Sequence, residues 1–203
     1  MKILAIGRNY VDHIKELNNE VPNEPVIFTK PDTALLQNND PFYYPEFSSN
    51  IHYEVEIVLK INRMGKYIAE KHAGSYFDEI GIGIDFTARD LQDKAKKKGL
   101  PWTLAKGFNH SAPISKFAKK NEFKDIKDLD FSLEIDNELK QKGNTKLMIY
   151  DFEYIIAYIS KYITLKKGDL IFTGTPKGVG AVKRGDMLEA FIGTKKMLKV
   201  EIK

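Results

Sequence analysis

The chain has 203 residues, 42% of them hydrophobic, which is enough for a sizeable core and argues against wholesale disorder. Its formal net charge of +4 is too small to indicate nucleic-acid binding, and the absence of cysteine excludes disulfides, thiolate catalysis and cysteine-ligated metals. No apolar run approaches the roughly 20 residues of a membrane-spanning helix, and the apolar run at the N-terminus is too short for a signal peptide. We therefore expect a cytoplasmic protein.

Short strands separated by loops dominate the pattern. Alternating or continuous apolar runs predict strands at residues 2–6, 26–29, 52–61, 80–85, 131–135, 170–172, 187–192 and 197–202. Apolar residues three or four apart predict helices at residues 10–17, 88–98 and 150–164. Asp151 suits the N-cap of the third helix, whose apolar stripe runs from Phe152 to Tyr162 and Ile163, and Gly99 can end the second. With no repeat or linker, the sequence predicts one α+β domain over residues 1–203, made mostly of β-sheet.

Two glutamates and an aspartate give the first chemical signal. Glu54 and Glu56 are alternate residues of a predicted strand, so they project from one face about 7 Å apart at the backbone. Asp85 ends a strand in which Gly81 and Gly83 share its face and leave room for a ligand or another backbone. Three hard oxygen donors without His or Cys suit Mg²⁺, Mn²⁺ or Ca²⁺ better than zinc. Solvated acids on an exposed strand are the alternative, because periodicity does not show that the two strands are neighbours.

A histidine and a glutamate give the second signal. His13 and Glu16 are spaced i, i+3 on the predicted helix 10–17, so the carboxylate can orient the imidazole. A near-neutral pKa makes histidine a suitable general base for water. A capping or surface histidine is the alternative.

One basic run raises the alternative of an RNA-binding protein. The lysine-rich segment 94–98 is compatible with RNA binding, but such a run is usually a solvated helix face and no aromatic RNA-binding signature accompanies it. The glycine-rich segment 173–180 lacks the spacing of a nucleotide-binding loop. We therefore expect neither nucleic acid nor membrane as a partner.

Seven motifs run nearly end to end along the chain. They are Gly7-Arg8-Asn9-Tyr10 with His13, Phe28-Thr29-Lys30-Pro31, Glu54-Val55-Glu56, residues 85–92, residues 96–106, Lys142-Gly143-Asn144-Thr145 and residues 173–180. In order and spacing they resemble the motifs of the fumarylacetoacetate hydrolase family, most closely its acylpyruvase/oxaloacetate decarboxylase branch. The resemblance implies a rolled, mixed β-sandwich of that family's C-terminal-domain type, with short peripheral helices, and a homodimer.

The resemblance also implies roles for particular residues. Metal binding, with Mg²⁺ expected and Mn²⁺ or Ca²⁺ as alternatives, falls to Glu54, Glu56 and Asp85. Catalysis falls to His13, Glu16 and Lys106, with Lys106 stabilising an enolate oxygen. Substrate binding falls to Arg8, Arg89, Gln92 and Thr175.

The function implied is a Mg²⁺-dependent hydrolase that cleaves a C–C bond of acylpyruvates to give a carboxylate and pyruvate. The His13–Glu16 pair would activate water for attack on the distal carbonyl, and the substrate would be a small 2-oxo acid. Decarboxylation of oxaloacetate passes through the same enolate without water attack, so one site can support both reactions. The alternative in the same family is isomerisation or tautomerisation of a 2-hydroxy-dienoate or of oxaloacetate, which needs proton transfer alone.

Overall fold

The computed structural model describes residues 1–17 and 20–203, and strands outnumber helices in them. The strands are β1 (Ile3–Gly7), β2 (Val26–Lys30), β3 (Leu35–Leu36), β4 (Ile51–Tyr53), β5 (Val55–Ile61), β6 (Phe77–Ile84), β7 (Thr87–Ala88), β8 (Ala112–Pro113), β9 (Ala118–Lys119), β10 (Asp130–Ile135), β11 (Glu138–Asn144), β12 (Leu170–Phe172), β13 (Gly180–Ala181), β14 (Met187–Ile192) and β15 (Lys195–Glu201). The helices are α1 (Val11–Glu16), α2 (Glu70–Ala73), α3 (Arg89–Lys98), α4 (Thr103–Lys106) and α5 (Phe152–Tyr162). Among these residues, no helix has the length and apolar character needed to cross a bilayer.

Two larger sheets carry most of the structure. The six-stranded sheet has the order β2-β1-β12-β5-β6-β9 and is mixed, because β1 and β12 run parallel while the other pairs are antiparallel. The four-stranded sheet, β11-β10-β14-β15, is antiparallel throughout. This arrangement confirms the predicted α+β class, mostly β with short helices.

The six-stranded sheet is buried on both faces. The larger apolar cluster includes Ile57 and Ile82 from this sheet together with Leu133 and Leu198 from the four-stranded sheet. A second cluster lies on the opposite face and includes Val58 of β5. Because both faces are covered, the glutamates near the start of β5 lie inside the protein, and the alternative of solvated acids on an exposed strand is wrong.

The strand predicted over residues 52–61 is interrupted at Glu54. β4 pairs with β7 and β13 in a small sheet, whereas β5 pairs with β6 and β12 in the large one. Glu54 lies between them, and its carbonyl accepts a hydrogen bond from the amide of Asp85 at 2.8 Å. Side-chain alternation does not reveal a change of sheet, so the interruption was invisible in the sequence.

The predicted helix signals are mostly confirmed. Gly99 follows α3 with φ of 64°, the left-handed conformation that glycine adopts without steric cost. Asp151 caps α5 by accepting a hydrogen bond from the amide of Tyr154 at 2.9 Å. Tyr162, which the apolar stripe placed in the core, is exposed. The hydroxyl of Tyr158 on α5 reaches the Glu24 carboxylate at 3.1 Å, which fixes the chain just before β2.

Gly83 pairs with Glu56 across β5 and β6. The space that a side chain at this position would need is occupied by other residues of the core. A Cβ here would lie 2.7 Å from the ring of Phe172 and 3.0 Å from the carbonyl oxygen of Pro113. We therefore predict that Gly83→Ala lowers the free energy of unfolding by about 1–3 kcal/mol through overpacking, measured by urea denaturation. At Gly81 the nearest atoms would lie at 3.1 Å, so Gly81→Ala is the matched control and should cost less. Equal stability of Gly83→Ala and wild type would contradict this account.

Candidate active site

Three buried carboxylates converge where β5 and β6 meet. The antiparallel pairing of Glu56 with Gly83 places Asp85, just past the end of β6, beside Glu54 and Glu56. One oxygen from each of these three carboxylates lies within 4.8 Å of the others, and all three side chains are buried. The two strands that carry these acids, β5 and β6, are therefore paired, which periodicity alone could not show.

Three cationic side chains offset most of this negative charge. The ammonium of Lys106 contacts Glu54 at 2.8 Å and Asp85 at 2.5 Å, and it also donates to the hydroxyl of Thr87 at 2.6 Å. The guanidinium of Arg89 contacts the other oxygen of Glu54 at 2.5 Å. Lys30 approaches Asp85 from the opposite side at 2.7 Å. Buried charges persist only when paired in this way, because the cost of desolvating them is otherwise several kcal/mol per ion.

The pKa shifts follow these contacts. Burial raises the pKa of Glu54, but the charges of Lys106 and Arg89 outweigh burial and hold it below its usual range. For Lys106, burial lowers the pKa, but the carboxylates of Asp85 and Glu54 outweigh it, so the net shift is upward. Both groups are therefore charged at neutral pH.

Glu56 lies in a different environment from its two neighbours. Its carboxylate accepts a hydrogen bond from the amide of Gly174 at 2.7 Å, but it has no ion pair within residues 1–17 and 20–203. Burial, followed by the charges of Asp85 and Glu54, raises its pKa well above the usual value. A divalent cation would supply the missing positive charge, and hard oxygen donors are what Mg²⁺ and Mn²⁺ prefer. The three carboxylates therefore fit a hard dication.

His13 and Glu16 form a hydrogen-bonded pair on α1. The Nδ1 of His13 lies 3.2 Å from one carboxylate oxygen of Glu16, and the other oxygen accepts from the amide of Gly178 at 3.0 Å. Since the carboxylate can only accept, Nδ1–H donates, and Nε2 is left as the basic nitrogen. His13 is buried although α1 is peripheral. This geometry can support a general base.

Polar side chains on the other walls are oriented by buried amides. Gln141 on β11 donates to the hydroxyl oxygen of Thr175 at 2.9 Å, which leaves the hydroxyl proton of Thr175 for another acceptor. The carbonyl oxygen of Gln92 accepts from Arg89 at 2.6 Å, which leaves its NH₂ group as a donor. Donors placed in this way suit the carboxylate or carbonyl oxygens of an anionic ligand.

One cavity joins these groups. Its free volume is about 30 Å³, and nine of the ten site residues expected from the sequence line it, while Glu16 reaches it through His13. The nine are Arg8, His13, Glu54, Glu56, Asp85, Arg89, Gln92, Lys106 and Thr175. Their roles stay proposals, but the structure brings all ten together.

Sequence reasoning missed several residues that support the site. Lys30 is fully buried and contacts Asp85, and it was assigned no role although it lies in the Phe28-Thr29-Lys30-Pro31 motif. Gln141 bridges β5 and Thr175 by bonding the amide of Val55 at 2.9 Å. Trp102 and Lys96 also line the cavity, and Lys96 is half-buried although it lies in a run that suggested a solvated face. The signal for Lys30, Lys96 and Trp102 was their place within the family-like motifs, whereas Gln141 lies just before the Lys142-Gly143-Asn144-Thr145 motif and carried none.

Comparison with known proteins identifies the family. The fumarylacetoacetate (FAA) hydrolase C-terminal family matches residues 2–202. The chain is 48% identical over 190 residues, covering 94% of this chain and 86% of the relative, to oxaloacetate tautomerase FAHD1, mitochondrial, from Rattus norvegicus. It is 46% identical over 192 residues, with 94% and 88% coverage, to oxaloacetate decarboxylase, mitochondrial, from Dictyostelium discoideum.

A solved structure is similar over the whole chain. Fumarylpyruvate hydrolase from Pseudomonas aeruginosa, in complex with Mn²⁺ and pyruvate, superposes with a TM-score of 0.94 at 32% identity, covering 100% of this chain and 89% of that one. With a compatible fold, a buried acidic cluster and a match over nearly its full length, this chain belongs to the fumarylacetoacetate hydrolase family.

The acidic cluster makes a direct prediction about metal affinity. Glu56→Gln removes one anionic donor while keeping its shape and its acceptor for the Gly174 amide. We predict that it weakens Mn²⁺ binding by about 100-fold or more, measured by calorimetry or electron paramagnetic resonance. Glu79→Gln is the matched control, because Glu79 lies on the same sheet but pairs with Lys60 outside the cavity. Wild-type Mn²⁺ affinity in folded Glu56→Gln would rule out this ligand set.

Proposed function

We propose that this protein is a metal-dependent enzyme that interconverts the enol and keto forms of oxaloacetate or a closely similar 2-oxo acid. One observation carries the proposal: a histidine–carboxylate pair, a buried lysine and a three-carboxylate cluster line a single small cavity. The relatives named tautomerase and decarboxylase support this choice over acylpyruvate hydrolysis, the first expectation from the sequence.

The chemistry follows from two of these groups. Neutral His13, held in one tautomer by Glu16, takes the proton of the enol hydroxyl on Nε2. The negative charge that develops on the 2-oxygen is stabilised by the ammonium of Lys106, whose pKa is raised and which therefore keeps its charge. The imidazolium then returns a proton to C3, which gives the keto form and regenerates His13. A bound dication would supply Lewis-acid stabilisation of the same oxygen.

The remaining polar groups hold the substrate in place. The hydroxyl of Thr175, oriented by Gln141, is a donor for the substrate carboxylate. Arg89 and Gln92, linked by a hydrogen bond, provide further donors on the α3 side.

We further propose that residues 1–203 act as one catalytic domain. A homodimer and a cytoplasmic location stay predictions: the rat and Dictyostelium relatives are named mitochondrial, and light scattering tests the dimer.

C–C cleavage is the second candidate. His13, which is buried and hydrogen-bonded to Glu16, can equally remove a proton from water, whose addition to a distal carbonyl would break the C3–C4 bond of an acylpyruvate. The products are a carboxylic acid and the enolate of pyruvate, which takes up a proton. Loss of CO₂ from oxaloacetate yields the same enolate without any proton removal. The Pseudomonas aeruginosa relative is named a hydrolase, which supports this candidate.

A comparison of three reactions separates these candidates. Wild-type protein should accelerate the decay of the enol absorbance of oxaloacetate in Mg²⁺ or Mn²⁺, and chelation should abolish the effect. His13→Ala should slow tautomerisation by about 100-fold or more, because the general base is lost. Decarboxylation, followed by pyruvate release, should be much less affected, since it needs no proton removed.

The exposed His72 provides the control for that comparison, and His72→Ala should behave as wild type. Cleavage of acetylpyruvate at a higher kcat/KM than oxaloacetate tautomerisation would favour the hydrolase instead. Turnover that persists in metal-free protein, or no turnover of any 2-oxo acid, would refute the proposed function.

The environment of His13 predicts the pH dependence. Burial lowers the pKa of His13 below 6.5, and the carboxylates of Glu54 and Glu16 offset only part of that shift. The basic, neutral form therefore persists below pH 6.5, so kcat/KM should fall only as the pH drops through this lowered value. Glu16→Gln removes a group that raises the pKa and should move the acid limb to still lower pH.

The measurement is the pH profile of tautomerisation, with metal loading checked at each pH. His72→Ala should leave the limb in place. An acid limb above pH 6.5, or a shift to higher pH in Glu16→Gln, would show that His13 is not the titrating base.

A further inference from the structure

Helix α3 presents three polar side chains to the cavity. Arg89, Gln92 and Lys96 are spaced i, i+3, i+7, so they share one face of the helix, and all three line the cavity. The other lysines of the run, Lys94, Lys97 and Lys98, are exposed. Lys96 is thus separated from its neighbours by helix geometry and belongs to the cavity wall.

The position of the Lys96 ammonium is fixed by an aromatic contact. Its Nζ lies 5.8 Å from the centre of the Trp102 ring, within the range of a cation–π interaction. Trp102 is held in turn by edge-to-face packing on Phe28, with ring centres 5.9 Å apart. The left-handed turn at Gly99 reverses the chain so that Trp102 returns to the same wall. The contact with Trp102 therefore holds the Lys96 ammonium at the cavity wall.

Lys96 differs from the other cavity cations in its partners. Lys106 and Arg89 are paired with the acidic cluster, whereas Lys96 forms no ion pair within residues 1–17 and 20–203. Burial lowers the pKa of Lys96, and the nearby charges of Arg89 and Arg8 lower it further, with Asp93 and Glu54 acting in the opposite sense. Lys96 and Arg8 thus both add positive charge to the cavity wall.

We propose that Lys96, with Arg8, binds the second carboxylate of a dicarboxylic 2-oxo acid and makes the enzyme prefer such substrates to monocarboxylic 2-oxo acids. The 2-oxo acid end lies against Lys106, Thr175 and the acidic cluster, and the far carboxylate reaches Lys96. This inference rests on the proposed function for the 2-oxo acid end. It adds Lys96 as the residue that recognises the far carboxylate of the substrate.

Calorimetry with two stable probes tests the inference without turnover. Pyruvate has one carboxylate and 2-oxoglutarate has two, and both are titrated into Mn²⁺-loaded protein. In Lys96→Met, which keeps the aliphatic stem over Trp102, the Kd of 2-oxoglutarate should rise by about 10- to 100-fold while that of pyruvate stays within about twofold. Lys96→Arg should restore most of the affinity, and the exposed Lys97→Met should match wild type.

Steady-state kinetics gives an independent readout. Lys96→Met should raise the KM for oxaloacetate with little change in kcat, and it should leave the kcat/KM for acetylpyruvate unchanged. Equal weakening of both probes, or no weakening of either, would overturn the assignment of Lys96 and leave the proposed function standing. Failure of wild-type protein to bind either probe would overturn both, because the site would then not accept 2-oxo acids.

Discussion

The buried charge cluster is the constraint on which the rest of the site depends. Glu54, Glu56 and Asp85 lie inside the protein, where an unpaired carboxylate is costly. Lys106 and Lys30 reach them from two sides, and removal of one partner from such a buried pair typically costs about 3–5 kcal/mol. The cluster therefore links several elements of the fold. The carboxylate of Glu56, which lacks an ion pair within the described residues, leaves a place where a further cation could bind.

Strand pairing and helix placement together build the site. The β5–β6 register sets the separation of the acids, and the change of sheet at Glu54 turns that residue toward Arg89 at the start of α3. The short helix α4 follows Trp102 and carries Lys106 into the cluster. The carboxylate of Glu16, which contacts His13, also accepts a hydrogen bond from the amide of Gly178. Each of these groups is thus held by elements far apart in sequence, which fixes their relative positions.

Much of this arrangement could be predicted from local patterns. Alternation identified most strands, and Gly99 and Asp151 ended or capped helices as their chemistry requires. Separate motifs resemble those of a known family, and this resemblance predicted ten site residues that the fold brings together. Local patterns could not reveal the change of sheet at Glu54 or the burial of Lys30, because both depend on contacts across distant segments. The role of Lys96 was hidden for the same reason, since it depends on the return of Trp102 to the α3 wall.

The central claim is that the acidic cluster holds a divalent cation beside the ammonium of Lys106. Anomalous diffraction from crystals grown with Mn²⁺ and pyruvate tests it most directly. The account predicts one strong peak within coordination distance of Glu54, Glu56 and Asp85, with pyruvate oxygens completing the shell next to Lys106. A map in which Lys106 still bridges Glu54 and Asp85, with no anomalous peak between the carboxylates, would contradict it.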